Sequence, residues 1–326
     1  ANLLLYNISM NDIANGKVSE FLKRNKRPLL VLLGPTASGK TALSLEIAKK
    51  FNCEIISADS RQVYNYMDIG TDKIPTDKRC GIPHHLIDVV EPNVRFTVSD
   101  FKKLAEEKIE EIYERGGLPF IVGGTGLYIR AVTENFSIPP DNLEAREKLM
   151  EEINELGALA LHERLKKLDP VSAEKIHPHN IPYIVRALEI IAATGKPKTD
   201  EKKPAKYSSL ILGINPLRTD FEEQLPRKRS QLSPRWKNLF ERIDARVDDQ
   251  IKRGLIDETK KLLQMGFTKN LRSMKTLGYS EMTQYLEGEL SLEDAVSQLK
   301  QNTRRYAKRQ MVWFKKDKVV EWILNS

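Results

Sequence analysis

Short apolar runs and helical apolar spacing alternate along the first part of the chain. Four continuous apolar runs predict buried strands, at residues 29–33, 55–58, 86–90 and 119–122. Between them, apolar residues recur every three or four positions over residues 43–51 and 98–115, which predicts amphipathic helices. This alternation is typical of a parallel sheet covered by helices.

The pattern loses its strands after residue 133. Residues 143–193 carry only helical apolar spacing, and the adjacent Pro139 and Pro140 ahead of them mark a domain boundary. A polar stretch at residues 195–204 then leads into a further strand-like run at residues 210–214. We therefore predict an all-helical insertion set into an α/β domain that resumes after it.

These boundaries divide the chain into three parts. The α/β core comprises residues 28–135 and 206–326, and the helical insertion comprises residues 136–205. Within the second part of the core, residues 238–316 are mainly helical. Residues 1–27 form an extension, which is either an amphipathic helix packed on the core or a poorly ordered arm.

The charge balance permits a polyanionic partner. The chain has 326 residues, a formal net charge of +8 and a pI of about 9.2. The basic residues are concentrated, because the segment from Lys300 to Lys318 carries eight Lys or Arg side chains and one acid, Asp317. Such a run is either a solvated helix face or a contact surface for a nucleic-acid backbone.

Cysteine usage and hydropathy point to the cytoplasm. Cys53 and Cys80 are too few for a disulfide framework and lack the spacing of a metal site, so we expect two reduced thiols. No apolar run approaches the length of a membrane span. The apolar residues 3–5 follow no basic segment and precede no small-residue cleavage site, so no secretory signal is expected.

The strongest chemical motif lies at residues 34–41, where GPTASGKT fits the phosphate-binding pattern G-x-x-x-x-G-K-[ST]. A predicted strand precedes it and a predicted helix follows it, which is the order that an anion site at a helix N-terminus requires. Backbone N–H groups and Lys40 would hold a phosphate chain. The motif leaves open which phosphate compound is bound.

Two further candidates follow later strands, at the sheet edge where open parallel sheets bind ligands. Asp59 comes where the second strand ends. Its carboxylate would serve as a general base or a Mg²⁺ ligand, or would only cap a helix or be solvated in a loop. Residues 123–126 form a glycine-rich turn that carries Thr125. That turn either lets a ligand approach the backbone or is an ordinary strand–helix connection.

Together, these motifs resemble one family, the tRNA dimethylallyltransferases, from residue 28 to the end of the chain. The matching motifs are, in chain order, GPTASGKT (34–41), DSRQVY (59–64), MDIGT (67–71), PHHLID (83–88), GGTGLY (123–128), IHP (176–178), RALE (186–189), LGY (277–279) and RYAKRQ (305–310). The phosphate motif alone is common, whereas the ordered set is specific. The resemblance implies a P-loop NTPase-like parallel sheet covered by helices, with an all-helical insertion that contacts tRNA.

The resemblance also implies an activity and its partners. The enzyme would transfer the dimethylallyl group from dimethylallyl diphosphate to the N6 amine of the adenosine next to the anticodon in tRNA, and would release diphosphate. Mg²⁺ would be the cofactor, placed beside Thr41, and the protein would act as a monomer. Asp59 would be the base for the amine, Lys40 the charge partner of the diphosphate, and Arg246 a second contact to it.

The remaining site residues are assigned in two groups. The diphosphate is expected to contact Gly34, Thr36, Ala37, Ser38, Gly39, Lys40 and Thr41. Contacts to tRNA are expected from Asp59, Ser60, Arg61, Gln62, Thr125, Arg146 and Arg186, and from Lys308 and Arg309 on the basic helix. Tyr306, Trp313 and Phe314 are predicted to be packing residues, and His84 and His85 to make structural hydrogen bonds beside a strand.

The chain departs from the family pattern in two places. Pro182 and Tyr183 stand where one or two basic residues usually precede the arginine matching Arg186, so a tyrosine contact to tRNA is the alternative there. The segment between Asn215 and Arg242 is longer than usual and carries a basic stretch at residues 226–229, which is an added tRNA-side loop or a surface insertion.

Three rival functions remain open from the residues. A small-molecule kinase would use the phosphate motif but leaves the helical insertion and the basic helix unexplained. A non-catalytic RNA-binding protein with a nucleotide switch would not need Asp59. Prenylation of free adenine nucleotides would use the same donor, but the length of the chain and its helical insertion favour a tRNA acceptor.

Overall fold

The computed structural model describes residues 10–139, 141–197, 204–216 and 234–324. The basic stretch at residues 226–229 lies outside them, as does most of the polar stretch at residues 195–204.

The chain forms two compact units, one of Ala1–Thr133 with Ala205–Ser326 and one of Glu134–Pro204. In the first unit, the elements in chain order are α1 (Met10–Arg24), β1 (Pro28–Leu33), α2 (Lys40–Phe51), β2 (Cys53–Ala58), β3 (His84–His85), α3 (Val98–Glu114), β4 (Leu118–Gly123), α4 (Gly126–Thr133), β5 (Ser208–Asn215), α8 (Pro234–Lys252), α9 (Leu255–Gln264), α10 (Tyr279–Leu286), α11 (Leu292–Phe314) and β6 (Glu321–Leu324). The described part of the second unit contains three helices, α5 (Leu143–Leu168), α6 (Pro170–Lys175) and α7 (Ile181–Thr194).

All six strands pair in parallel, in the order β3-β2-β4-β1-β5-β6. The sheet is buried on both faces, because β1 and β4 are apolar at nearly every position. One core cluster includes Phe101 of α3 and Phe314 of α11, and the cluster on the opposite face includes Ile47 of α2. The predicted parallel sheet covered by helices is confirmed.

The segment ahead of the first strand packs on the core unit as a helix. In α1, Ala14 and Val18 are fully buried in the same cluster as Ile47. Its Lys17 also forms an ion pair of 2.5 Å with Glu321 of β6. Of the two interpretations of residues 1–27, the packed helix therefore describes residues 10–24.

The predicted strand at residues 86–90 is wrong. The observed strand is the two-residue β3, and the chain turns directly after it, because Leu86 and Asp88 have positive φ angles of 60° and 56°. The buried ammonium of Lys73 donates to Asp88 at 2.5 Å and to the carbonyl of Tyr64 at 2.6 Å, which fixes this irregular segment. Apolar composition alone does not reveal such turns.

A buried charge cluster organises the helical unit. Glu189 of α7 is fully buried, and its carboxylate accepts from Arg186 at 2.9 Å and from the N–H of Asn142, the N-cap residue of α5, at 2.9 Å. Arg146 lies 3.3 Å from the same carboxylate. These bonds tie the start of α5 to α7.

Among the described residues of the whole chain, no helix is long and apolar enough to cross a membrane.

Candidate active site

Three strand ends form the floor of the site. In the sheet, β4 lies between β1 and β2, so the carboxyl ends of these strands are neighbours. The phosphate motif follows β1, the glycine turn follows β4, and Asp59 follows β2. The sheet order therefore brings together three segments that are far apart in sequence, at the edge where parallel sheets bind ligands.

The phosphate motif forms a tight loop that leads into α2. Gly39 has φ 93°, a left-handed conformation that favours glycine, and α2 begins at the next residue with no acidic side chain in its first turn. The positive end of the helix dipole is thus not neutralised by the helix itself. Ser38 is 1% exposed, and its hydroxyl has no hydrogen-bond partner within the described part of the chain. Both observations suit a bound anion.

Lys40 lies at the base of this loop. Its ammonium donates to the carbonyl oxygen of Pro35 at 2.7 Å. Burial, followed by the nearby positive charge of Arg246, lowers the pKa of Lys40 from its usual 10.5 to about 7, while Asp59 acts in the opposite direction. The charge of Asp59 therefore does not balance the desolvation of the lysine ammonium. An anionic ligand would supply the missing counter-charge.

Arg246 of α8 reaches the same loop. Its Nη1 donates to the Thr36 hydroxyl at 3.0 Å, and its Nη2 lies 2.9 Å from the carboxylate of Asp72. Arg253, directly after the end of α8, pairs with the same carboxylate at 3.2 Å. Asp72 thus anchors Arg246 while the guanidinium faces the phosphate loop.

The segment that carries Asp72 is itself held in place by α9. The carboxylate of Glu258 on α9 accepts from the N–H groups of Asp68, Ile69 and Gly70 at 2.9–3.2 Å. The same carboxylate accepts from the hydroxyl of Tyr279 at 2.6 Å. Three backbone donors on one carboxylate make a rigid support for the anchor of Arg246.

Asp59 is fixed by its own turn. Its Oδ1 accepts from the N–H of Arg61 at 2.9 Å, which makes an Asx turn, and no helix begins at this turn, so the helix-cap interpretation of this residue is wrong. The neighbouring N–H of Ser60 donates to the Thr125 hydroxyl at 3.1 Å, and the N–H of Thr125 donates to the carbonyl of Ala58 at 3.1 Å. The glycine turn therefore holds the backbone on both sides of Asp59.

Gln62 is also engaged within the protein. Its side-chain oxygen accepts from the hydroxyl of Ser57 at 2.9 Å, and its amide nitrogen donates to the carbonyl oxygens of Thr71 and Asp72 at 3.3 and 3.4 Å. Gln62 thereby links β2 to the segment that anchors Arg246. These bonds occupy both ends of the side-chain amide.

A cavity of about 540 Å³ joins these groups. Nine of the sequence-predicted residues line it, namely Thr36, Lys40, Thr41, Asp59, Ser60, Arg61, Gln62, Arg246 and Arg309. Five cationic and three acidic side chains contribute to the lining. Of the three acids, Asp72 is paired with Arg246, and Glu281 accepts from Asn302 at 2.8 Å, whereas Asp59 accepts from a backbone N–H.

Two predicted tRNA contacts lie in the other compact unit. Arg186 donates to Asp141 and Glu189 at 2.9 Å and to the carbonyl of Pro139 at 2.8 Å, and Arg146 pairs with Glu189. Both guanidinium groups therefore support the fold of the helical unit. Tyr183 at the start of α7 is 65% exposed and stands on the surface of that unit.

The basic helix α11 divides into residues with different surroundings. Lys308 lies over the rings of Trp236 and Phe240, and burial, followed by the charge of Arg304, lowers its pKa. Arg309 is exposed and lines the cavity. Tyr306, predicted to be a packing residue, also lines the cavity, and burial together with the charge of Asp59 raises its pKa.

Sequence reasoning missed three residues of the site. Gln310 bonds to the phosphate loop and to the glycine turn, Asp72 anchors Arg246, and Tyr306 lines the cavity beside Asp59. Gln310 and Tyr306 belong to the matched motif at residues 305–310, but the motif gave them no role. Asp72 directly follows the matched motif at residues 67–71, which was the only signal for it.

The two histidines of β3 make structural contacts, as predicted. His84 Nδ1 lies 2.8 Å from the carbonyl of Ile82, and His85 Nε2 lies 2.7 Å from Glu54. Within the described residues, no group of three His, Cys, Asp or Glu side chains is arranged to hold a metal ion.

The cavity thus has an anion-binding side and a carboxylate side. Lys40, Arg246 and the start of α2 form the first, and Asp59 forms the second. Such an arrangement stabilises negative charge on a departing phosphate while a nearby carboxylate accepts a proton from an incoming nucleophile.

Comparisons with known proteins agree on one family. The family model described as IPP transferase matches residues 62–317, and the model described as isopentenyl transferase matches residues 28–80. The chain is 45% identical over 302 residues to a tRNA dimethylallyltransferase of Thermoanaerobacter sp. (strain X514), and the match covers 90% of each chain.

Solved structures give the same result. The full-length tRNA isopentenylpyrophosphate transferase from Bacillus halodurans is 42% identical, with a TM-score of 0.64, and the match covers 92% of this chain and 90% of that one. A eukaryotic dimethylallyltransferase acting on tRNA is 29% identical, with a TM-score of 0.74, and the match covers 92% of this chain and 74% of that one. Both similarities span the α/β core and the helical insertion.

Proposed function

The chain belongs to the IPP transferase family, the family of the tRNA dimethylallyltransferases, and we propose that it transfers the dimethylallyl group from dimethylallyl diphosphate to the N6 amine of the adenosine next to the anticodon in tRNA. Family membership confirms the resemblance read from the ordered motifs. The observation that carries the proposed chemistry is the single cavity in which Lys40 and Arg246 lie on one side and Asp59 on the other.

The phosphate loop is proposed to bind the diphosphate. The buried Ser38 hydroxyl and the unneutralised start of α2 support this assignment, as does the lowered pKa of Lys40. Gly34, Ala37 and Gly39 complete the loop and let its backbone approach the ligand. Diphosphate leaves readily once its charge is neutralised, and one preorganised donor of this kind contributes about 3–4 kcal/mol to such a step.

The residues present fit a bound Mg²⁺. This ion prefers oxygen ligands, keeps several water molecules and is usually held by one or two protein oxygens together with substrate phosphates. Thr41 supplies a hydroxyl on the cavity, and diphosphate oxygens and water would supply the other ligands, so a three-carboxylate protein site is not needed. When bound, Mg²⁺ would neutralise charge on the diphosphate oxygens.

Asp59 is proposed to be the general base. The N6 amine of adenine is a weak nucleophile, because its lone pair is delocalised into the ring. As the bond between N6 and the allylic carbon forms and the carbon–oxygen bond to diphosphate breaks, the amine loses a proton to the Asp59 carboxylate. The hydrogen bond from the N–H of Arg61 holds that carboxylate in place. A positioned base contributes about 10²–10⁴-fold to the rate.

The acceptor side of the cavity is proposed to bind tRNA. Ser60, Arg61 and Arg309 line the cavity, and Lys308 lies next to Arg309 on the basic helix. The bonds of Gln62 and Thr125 within the protein support a positioning role for these two, since they hold the turn around Asp59. For the helical unit, the bonds of Arg146 and Arg186 support a structural role, which leaves the exposed Tyr183 as the better candidate contact.

One assay tests the proposed function. The full chain is incubated with Mg²⁺ and dimethylallyl diphosphate labelled in the prenyl group, with unmodified tRNA, with AMP, or with ATP in place of the prenyl donor. We expect label in tRNA at the adenosine next to the anticodon, and loss of transfer with EDTA that added Mg²⁺ restores. A tRNA transcript with guanosine at that position is the matched control. Transfer to AMP alone, or phosphoryl transfer without prenyl transfer, would overturn the proposal.

A further inference from the structure

Gln310 of α11 connects the two glycine-containing turns of the site. Its side-chain oxygen accepts from the N–H of Thr36 in the phosphate loop at 2.9 Å. Its amide nitrogen donates to the carbonyl oxygen of Gly124 in the turn after β4 at 3.0 Å. One buried amide therefore bonds to the end of β1 and to the end of β4.

The contact with Gly124 is tight. A Cβ atom at this position would overlap the amide nitrogen of Gln310, although the backbone conformation of Gly124 lies outside the left-handed region. A side chain larger than glycine at position 124 would therefore have to displace the Gln310 amide, whereas the φ angle imposes no such constraint. The amide is thus packed closely against the turn after β4.

Bonds on both sides extend this bridge across the site. On the donor side, the Thr36 hydroxyl accepts from Arg246 at 3.0 Å. On the acceptor side, Thr125 follows Gly124, and its hydroxyl accepts from the N–H of Ser60, the neighbour of Asp59, at 3.1 Å. Gln310 is therefore the central member of a chain of contacts that runs from the proposed diphosphate partner to the proposed base.

The spacing of these two groups matters for the chemistry. A reacting pair must be held about 3–3.5 Å apart, and a displacement of about 1 Å lowers the rate on the order of 10²-fold. An amide suits the bridging position, because one end must accept from an N–H and the other must donate to a carbonyl. A carboxylate would be repelled by the Gly124 carbonyl, and an apolar side chain would make neither bond.

We propose that Gln310 is a positioning residue that sets the distance between the diphosphate site and Asp59, and so directs the allylic carbon to the amine and not to water. This rests on the proposed function. In transfer, the carbon–oxygen bond breaks, the carbon–nitrogen bond forms, and the amine proton passes to Asp59. In the side reaction, the same bond breaks, a water oxygen bonds to the allylic carbon, and the water proton passes to solvent, giving dimethylallyl alcohol and diphosphate.

The partition between these two products tests the proposal. Wild type and Gln310→Met are compared in single-turnover reactions with tRNA and labelled dimethylallyl diphosphate, and label is counted in tRNA and in the alcohol. We expect Gln310→Met to slow transfer by about 10²-fold, to raise the alcohol fraction, and to leave the Kd for tRNA within twofold. Gln301→Met, on an exposed position of the same helix, is the matched control and should behave as wild type.

An unchanged rate and alcohol fraction in Gln310→Met would overturn the proposal. So would slower transfer with an unchanged alcohol fraction, because weaker donor binding alone gives that result. If wild type itself forms no product with tRNA, the proposed function fails, and this outcome is distinct from any result with the variant.

If Gln310→Met shows no cooperative unfolding transition, and so is not properly folded, a double-mutant cycle tests whether Gln310 sets the geometry of the site. Gly124→Ala in the wild-type background should slow transfer and raise the alcohol fraction, because the new methyl group displaces the Gln310 amide. In a Gln310→Ala background the methyl group has room, so the same substitution should have a smaller effect. Equal effects of Gly124→Ala in both backgrounds would show that the bridge does not set the geometry.

Discussion

The ammonium of Lys40 donates its hydrogen bond to the carbonyl oxygen of Pro35, five residues earlier in the same loop, at a distance of 2.7 Å. Around this bond, burial and the charge of Arg246 lower the lysine pKa to about 7. The loop is thus prepared for an anion, because a diphosphate would restore the favourable surroundings that the charged form lost on burial.

Lys40 should therefore take up a proton when diphosphate binds. In the free protein the pKa of Lys40 is about 7, and a bound anion raises this pKa. At about pH 8, Lys40 is therefore mostly neutral before binding and becomes charged when the anion binds. Above pH 7, affinity should fall as pH rises, by at most about tenfold per pH unit. Calorimetric titration with inorganic diphosphate in two buffers of different ionisation enthalpy measures the uptake. Lys40→Arg, which stays charged, is the control that should remove the uptake assigned to Lys40.

Arg246 and Arg253 share the carboxylate of Asp72 but differ in position, which provides a matched pair. Arg246 bonds to the phosphate loop and lines the cavity, whereas Arg253 lies two turns away. We expect Arg246→Ala to lower kcat by about 10²–10³-fold, as removal of one charge-stabilising donor does. Arg253→Ala should change kcat less than about threefold, because it removes only a partly exposed ion pair. Equal losses in the two variants would contradict a direct role for Arg246.

The role of Asp59 as a base can be separated from its role in the turn. Asp59→Asn keeps a side-chain oxygen that can accept from the N–H of Arg61 but cannot accept a proton from the amine. We expect this variant to lose about 10²–10⁴-fold in single-turnover rate while its Kd for tRNA stays within about twofold. Asp77→Asn, at an exposed position outside the cavity, is the control. A rate near that of wild type in Asp59→Asn would rule out the general-base role.

The sequence predicted the parts of the site that follow strands, since strand ends of a parallel sheet meet at one edge. Asp59 and Lys40 were assigned from such positions, and the sheet order brings them to one cavity. The role of Gln310 was not predictable in this way, because it lies on a distant helix whose register against two turns depends on tertiary packing. Arg186 is the reverse case. A matching motif implies a tRNA contact, which stays a prediction, whereas the bond of its guanidinium to the buried Glu189 was visible only in the fold.

The same physical limit explains the strand that was predicted at residues 86–90. Its apolar pattern is present, but Lys73 and two residues with positive φ turn the chain away from the sheet edge. Periodicity reports which residues are buried. It does not report whether their backbone N–H groups bond to a neighbouring strand or, as for Asp88, Val89 and Val90, to the carbonyl oxygens of a turn at residues 62–63.

The basic helix α11 should contribute to tRNA affinity through phosphate contacts. Each contact that is lost should reduce the slope of log K against log salt by about 0.7–0.9. We therefore expect the double variant Lys308→Ala and Arg309→Ala to flatten the slope by about 1–2, with most of the change in Arg309→Ala alone, because Arg309 is exposed and Lys308 lies over two aromatic rings. Lys300→Ala, whose ammonium already pairs with Asp248 at 2.6 Å, is the control on the same helix. Filter binding or fluorescence anisotropy across about 50–200 mM salt measures the slopes. A slope equal to that of wild type in Arg309→Ala would remove this face of α11 from the tRNA interface, and the positive charge of the cavity would then serve only the diphosphate.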